Sequence, residues 1–145
     1  MTSDPPVDVV LIFIKPEKTE IIDSIDYEMD KFVSPYTIYG LGKSYGDVCL
    51  TKEGTLLISK GLDKLIEFDA TQGTIRAESG VTLDEILKLI TIEGWFIPVV
   101  PGTRFITIGG ALANDIHGKN HHKAGSFGNF VRKFELLRSN GERVV

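Results

Sequence analysis

One cysteine, one tryptophan and two methionines are all that this 145-residue sequence holds of those types. The lone Cys49 excludes an internal disulfide, so nothing requires an oxidising compartment, and its plain reading is a small buried hydrophobe. Long apolar runs are missing as well. The stretch Val7 to Ile14 is too short for a membrane span and follows acids and prolines where a signal peptide needs bases. The expectation is a cytoplasmic protein that is not integral to a membrane. There is no excess of positive charge: 16 Lys and Arg face 20 Asp and Glu, giving a net charge of −4. That balance argues against nucleic acid or an anionic membrane surface as the main partner. Repeats, low-complexity segments and linkers are also lacking. What remains, 42% hydrophobic and 25% charged residues, is ordinary globular material, enough for one domain with a core.

The local patterns alternate between strand and helix. Val7 to Ile14 is rich in β-branched residues and reads as a buried strand or extended segment stopped by Pro16. Ile22, Ile25, Met29 and Phe32 recur at helical spacing, with Thr19 as a cap and Pro35 as the stop. Tyr36 to Tyr39 and Gly54 to Ser59 read as strands, and Leu65 to Asp69 with Thr74 to Ser79 reads as a hairpin. Thr82 and Glu85 form a capping box ahead of Leu83, Ile86, Leu87 and Ile90, and Gly94 ends that helix. Trp95 to Val100 reads as an edge or terminal strand, since Pro98 interrupts it. Val131 to Leu137 leads to the turn Ser139 to Glu142, after which a return strand has barely begun at Val145. The expectation is that this is the front part of a longer chain.

Glycine is what the sequence has in plenty, 15 residues in two concentrations. The first is GLGKSYGD, Gly40 to Asp47, directly after a strand. It nearly matches two phosphate motifs. A P-loop needs glycine where Thr37 stands, and a dinucleotide fingerprint needs its third glycine at Tyr45 instead of Gly46. A phosphate cradle and a tight turn both remain open. The second runs from Pro98 to Val131 and carries Gly109, Gly110, Gly118, Gly125 and Gly128 with all three histidines, His117, His121 and His122. Such density weakens helices and strands, so the segment is expected to present backbone. Between Pro101 and Phe134 five bases face one acid, a local net of +4; eleven bases and nineteen acids lie elsewhere, a net of −8. A cationic glycine-rich loop in an acidic protein points to a small anion, and two such loops meeting would suit a dinucleotide.

The side chains permit several chemistries. The three histidines with Asp115 have donors for a metal, yet no second His or Cys cluster completes a shell, so no metal is expected. They can instead face a ligand, act in catalysis or pack the loop. Lys43 and Lys119 can each face a phosphate or simply be solvated, and Ser44 and Ser126 can donate to phosphate or cap a turn. Trp95 and Phe96 read as core or as a surface that stacks on a flat ring. No nucleophile has its base nearby: there is no G-x-S-x-G elbow, and Cys49 has no neighbouring histidine.

GLGKSYGD at Gly40 to Asp47, AESGVTLDEIL at Ala77 to Leu87 and PGTRFITIGGALANDIHGKNHHKAGSFGNFV at Pro101 to Val131 together resemble the PCMH-type FAD-binding domain of the vanillyl-alcohol oxidase superfamily. DIHGKNHH followed by AGSFGN is similar to its branch acting on polyprenyl-phosphate-linked ribose. The likeness is in register from Tyr39 onward. It implies an α+β fold of two small subdomains, residues 1–98 and the start of a second at 99–145, with the domain truncated at its C-terminal end and the substrate-cap domain absent. It implies FAD bound without a covalent link, because Lys43 stands where many covalent relatives carry histidine. By the same resemblance, Tyr39, Gly40, Leu41, Gly42, Lys43, Ser44, Tyr45, Gly46, Asp47, Gly102, Thr107, Ile108, Gly109 and Gly110 wrap the dinucleotide. Asn114, Asp115, Ile116 and His117 lie along it toward the isoalloxazine.

The implied activity is oxidation of the ribose C2 hydroxyl to a 2-keto sugar, with hydride passing to the flavin and a partner reductase completing an epimerisation to arabinose. His117 and Lys119 match positions bordering that substrate pocket. The alternatives are another carbohydrate or aldonolactone oxidase of the superfamily, or a catalytically silent module that binds a nucleotide or packs against a partner chain.

Overall fold

The computed structural model describes residues 14–29 and 35–145. Val7 to Phe13 of the first expected strand and Phe32 of the expected helix lie outside the described residues. Three parallel strands form the first layer: β1 (Lys18–Ile21), β2 (Tyr36–Tyr39) and β3 (Thr55–Ile58), in the order β1-β3-β2. Lys18 and Tyr36 both pair with Thr55, and Ile21 and Tyr39 both pair with Ile58. β3 is therefore covered on both edges, and Thr55, Leu56 and Leu57 are buried. That double burial suits the unbroken apolar run of a central parallel strand. Leu57 packs with Ile22 and Met29 into one small core.

The expected helix capped at Thr19 is corrected here: Lys18–Ile21 is a strand. Residues 22–28 that follow are irregular: Ile22 N–H donates to Ile58 O at 2.8 Å as the ladder ends, and Ile22 and Met29 both pack on Leu57, a partner far along the chain and invisible to any local window.

The hairpin is as expected. β4 (Leu65–Asp69) pairs antiparallel with β5 (Thr74–Ala77), and the Asp69 carboxylate accepts from the N–H groups of Thr71 and Gln72 to close the turn. Trp95 packs over Gly73 in that turn and donates its indole N–H to the Ala70 carbonyl at 2.8 Å. Trp95 to Val100 is irregular instead of a strand, because the tryptophan is committed to the turn and no ladder partner is present among the described residues.

α1 (Leu83–Ile90) has both halves of its capping box. Glu85 N–H donates to Thr82 Oγ1 at 3.1 Å, and Thr82 N–H donates to the Glu85 carboxylate at 2.8 Å. Such a cap is worth about 1 kcal/mol. Val81, Leu83, Ile86 and Ile90 make the main buried cluster, and Ile106, Ile108, Ile116 and Phe127 pack against it. The glycine-rich second segment is thus seated on α1.

That segment also corrects the expectation of bare backbone. It folds into α2 (Ile108–Ala113), α3 (His121–Ala124) and a 3-10 turn at Phe127–Phe130. β6 (Leu136–Leu137) and β7 (Arg143–Val144) then form a short hairpin through a turn with Gly141 at φ 81°. Arg143 ties this hairpin to Glu135 at 2.6 Å and to the Ile25 carbonyl.

Candidate functional site

The two glycine concentrations meet. A side chain at Gly40 would bring its Cβ to 2.9 Å from Thr107 Oγ1, so only glycine allows the end of β2 this close to the start of α2. The loop from Leu41 to Asp47 then leaves the sheet. Gly42 and Gly46 both adopt φ 61°, and Tyr39 lays its phenol against Gly42. Lys43, Tyr45, Gly46 and Asp47 are exposed, and Leu41 and Ser44 are half-buried. Among the described residues, no hydrogen bond is donated by the backbone N–H groups of Leu41 to Asp47. These donors are available to a ligand oxygen.

α2 is the opposite case. Ile108 N–H donates to Val81 O at 2.8 Å and Gly109 N–H to Ser79 O at 2.9 Å, while Gly110 N–H donates to the buried Thr107 hydroxyl at 3.1 Å. A Cβ on Gly109 would meet Ser79 at 2.9 Å. The donors of Ile108, Gly109 and Gly110 are therefore already engaged within the fold. Ser79 was not among the sequence candidates; the SGV step before the capping box marks it, but its role requires seeing α2 docked there.

The turn carrying Gly102 is fastened at Arg104. The Asp84 carboxylate takes Arg104 at 2.6 Å and Lys88 at 2.7 Å, and Asp84 N–H donates to Arg104 O. Hydrogen bonding from Lys88, then the charges of Lys88 and Arg104, hold Asp84 below the usual carboxylate range against the opposing effect of burial. Gly102 itself is exposed and has open space around its Cα.

Asn114 to Lys119 forms a second tight structure. Asn114 Nδ2 donates to Gly110 O at 2.8 Å. Asp115, at φ 40°, is the one non-glycine among the described residues in the left-handed region, a conformation aspartate tolerates. Its carboxylate accepts from Gly128 N–H at 2.8 Å. The Ser126 hydroxyl, then that N–H and the charge of His117, hold Asp115 below its ordinary range. His117 bridges Ser126 through the backbone, and Phe127 N–H donates to Ile116 O. His117 and Lys119 are both exposed, with buried Gly118 between them. No hydrogen bond among the described residues links Gly40 to Asp47 with His117 to Lys119.

The rings of His117, His121 and His122 stand edge to face, but no group of three or more His, Cys, Asp or Glu among the described residues is arranged to hold a metal. A hollow of about 510 Å³ between Tyr27–Met29 and the β6–β7 turn contains none of the candidate residues.

A parallel sheet whose exit loop offers free N–H groups, placed against a glycine-opened helix start, defines a dinucleotide-binding module of the α+β type. The residues fit FAD on two counts: Gly40 opens the close approach, and the loop donors are unspent. The family follows from comparison with known proteins. Residues 10–145 match the FAD binding domain family, and the chain belongs to it. Its cofactor is FAD.

Over 103 residues the chain is 47% identical to decaprenylphosphoryl-beta-D-ribose oxidase of Mycolicibacterium smegmatis, covering 71% of this chain and 22% of that protein. It is 30% identical over 80 residues to human Delta(24)-sterol reductase, covering 55% of this chain and 16% of the relative. The chain thus spans about a fifth of the length of these relatives. Two structures of alkyldihydroxyacetonephosphate synthase superpose with TM-scores of 0.68 and 0.69 at 18% and 19% identity. They cover 87% of this chain and about a quarter of theirs, and together with the family match they give the fold as that of a PCMH-type FAD-binding domain. The relatives include proteins named as oxidases, a D-lactate dehydrogenase and a sterol reductase, all oxidoreductases. No helix among the described residues is long and apolar enough to cross a membrane.

Proposed function

We propose that this chain is the FAD-binding part of an enzyme that oxidises the C2 hydroxyl of a polyprenyl-phosphate-linked ribose to a 2-keto sugar. The observation that carries the reading is the 47% identity to a decaprenylphosphoryl-ribose oxidase over 103 residues, 71% of this chain. In this reading residues 1–98 form a first subdomain and 99–145 begin a second. Tyr39–Asp47, Gly102, Thr107–Gly110 and Asn114–His117 would hold FAD, without a covalent bond.

FAD held here would supply the redox chemistry, as the hydride acceptor of the oxidation. The chain's own part is positioning. The free N–H groups of Leu41 to Asp47, with Lys43 among them, hold the anionic middle of the cofactor. Gly40 and Gly109 let the backbone come close. His117, exposed at the end of the Asn114–His117 run, orients and polarises the C2 hydroxyl as its proton leaves, and Lys119 borders the same sugar. A separate reductase consuming the keto sugar, and a cytoplasmic location, belong to the same reading.

Two measurements test it. The purified protein should release its flavin into the supernatant on acid precipitation; flavin retained in the pellet would favour a covalent carbohydrate oxidase instead. In the complete flavin-loaded enzyme, His117→Ala should slow ribose oxidation about 100-fold while leaving FAD content unchanged. Unchanged turnover would remove His117 from the catalytic machinery.

A further inference from the structure

His117 does not stand alone on its loop. Its imidazole meets that of His121 edge to face, with ring centroids 5.1 Å apart and planes at 63°. His121 is itself tied down at two points by one acceptor. Its backbone N–H donates to Gly118 O at 3.1 Å, and its ring Nδ1 lies 3.2 Å from the same oxygen. A carbonyl only accepts, so Nδ1 carries the proton and the ring plane is set.

Gly118 is equally fixed. It is buried, and a Cβ there would lie 2.9 Å from Val100 O. Asn120 Nδ2 donates to Pro98 O at 3.0 Å, and Lys123, Ala124 and Gly125 close the α3 turn on Asn120 and His121. The backbone of His117 is held through its bridge to Ser126. An exposed imidazole on a fixed backbone still has rotational freedom, and the ring that the His117 imidazole meets is that of His121, itself exposed.

We propose that His121 is a positioning residue for His117, setting the plane in which the His117 imidazole meets the sugar hydroxyl. The inference rests on the role given to His117 above. Its physical basis is that catalysis by an oriented group is steep in geometry: an ångström of misplacement costs about 100-fold. Edge-to-face packing needs an aromatic ring at position 121 but not a charge, which separates this role from binding or proton transfer.

The test uses His121→Ala, His121→Phe and His117→Ala in the complete flavin-loaded enzyme, with a short-chain polyprenyl-phosphate ribose as substrate. His121→Ala should lower kcat about tenfold with KM and FAD content unchanged, and His121→Phe should recover most of the loss. His121→Asn, polar but without a ring, should behave as alanine does and covers the case in which alanine does not fold. In NMR spectra the His117 ring resonances should shift in both ringless variants and return in His121→Phe. If His117→Ala is slow while His121→Ala matches the parent, the positioning role is wrong and the role of His117 stands. A normal rate in His117→Ala overturns the reading beneath it. Equal loss in His121→Phe and His121→Ala, or a rise in KM or loss of FAD, also overturns the proposal.

Discussion

Two glycine-rich regions lie against each other in this protein and use glycine for opposite ends. In Leu41 to Asp47 the two glycines, Gly42 and Gly46, carry positive φ, and the peptide N–H groups have no internal partners among the described residues. In Ile108 to Gly110 the backbone donors are engaged, by Val81, Ser79 and the Thr107 hydroxyl, and glycine at 109 removes a Cβ that would strike Ser79. In the proposed reading the first region donates to the cofactor and the second lets it approach. Glycine density alone does not separate the two; the fate of each N–H does.

The contrast can be broken most severely at its packed side. Gly109→Val drives a branched side chain into Ser79 and should cost about 3 kcal/mol in urea unfolding, with FAD binding lost in parallel. The open side should respond differently. Gly46→Ala has no atom within 4 Å of its new Cβ, so only the left-handed backbone opposes it, at about 1–2 kcal/mol. FAD affinity, followed by flavin fluorescence, should fall in that variant by more than stability explains. Thr107→Ala removes the α2 cap and should cost about 1 kcal/mol by thermal unfolding.

The smallest effect is a pH dependence. The pKa of Asp115 is lowered by folding from its ordinary 3.8, so its stabilising contribution is complete above that value and is lost as pH falls through the folded one. Asp115→Asn should flatten the acid limb of the stability curve by that contribution, leaving the part due to Asp84 and Glu85, which are lowered likewise. An unchanged acid limb would mean the Ser126 and Gly128 contacts do not form in solution.

Local grammar made some elements legible. The β4–β5 hairpin carries its turn residues within a few positions, and the Thr82–Glu85 box announces α1, whose apolar face is the core. Among site residues, the two loops and the DIHGKNHH run stood out by glycine and histidine content. β1 was not legible, since Lys18–Ile21 holds one apolar residue and its partner, Thr55–Ile58, is far along the chain. Nor was α2, where glycine opposes a helix that docking on Ser79 and Val81 nonetheless stabilises. Asp84 was readable only as part of a helix start, though it also clasps Arg104 and the Gly102 turn.

By itself, then, the sequence determined the elements whose signals are short-range, and through its motifs the family and its cofactor. Tertiary structure alone decided which strand pairs with β3, which glycine loop keeps its donors free, and which histidine leans on which. The physical reason is the same in each case: a hydrogen-bond donor or a ring has many equivalent partners along a chain, and only the packed fold selects one.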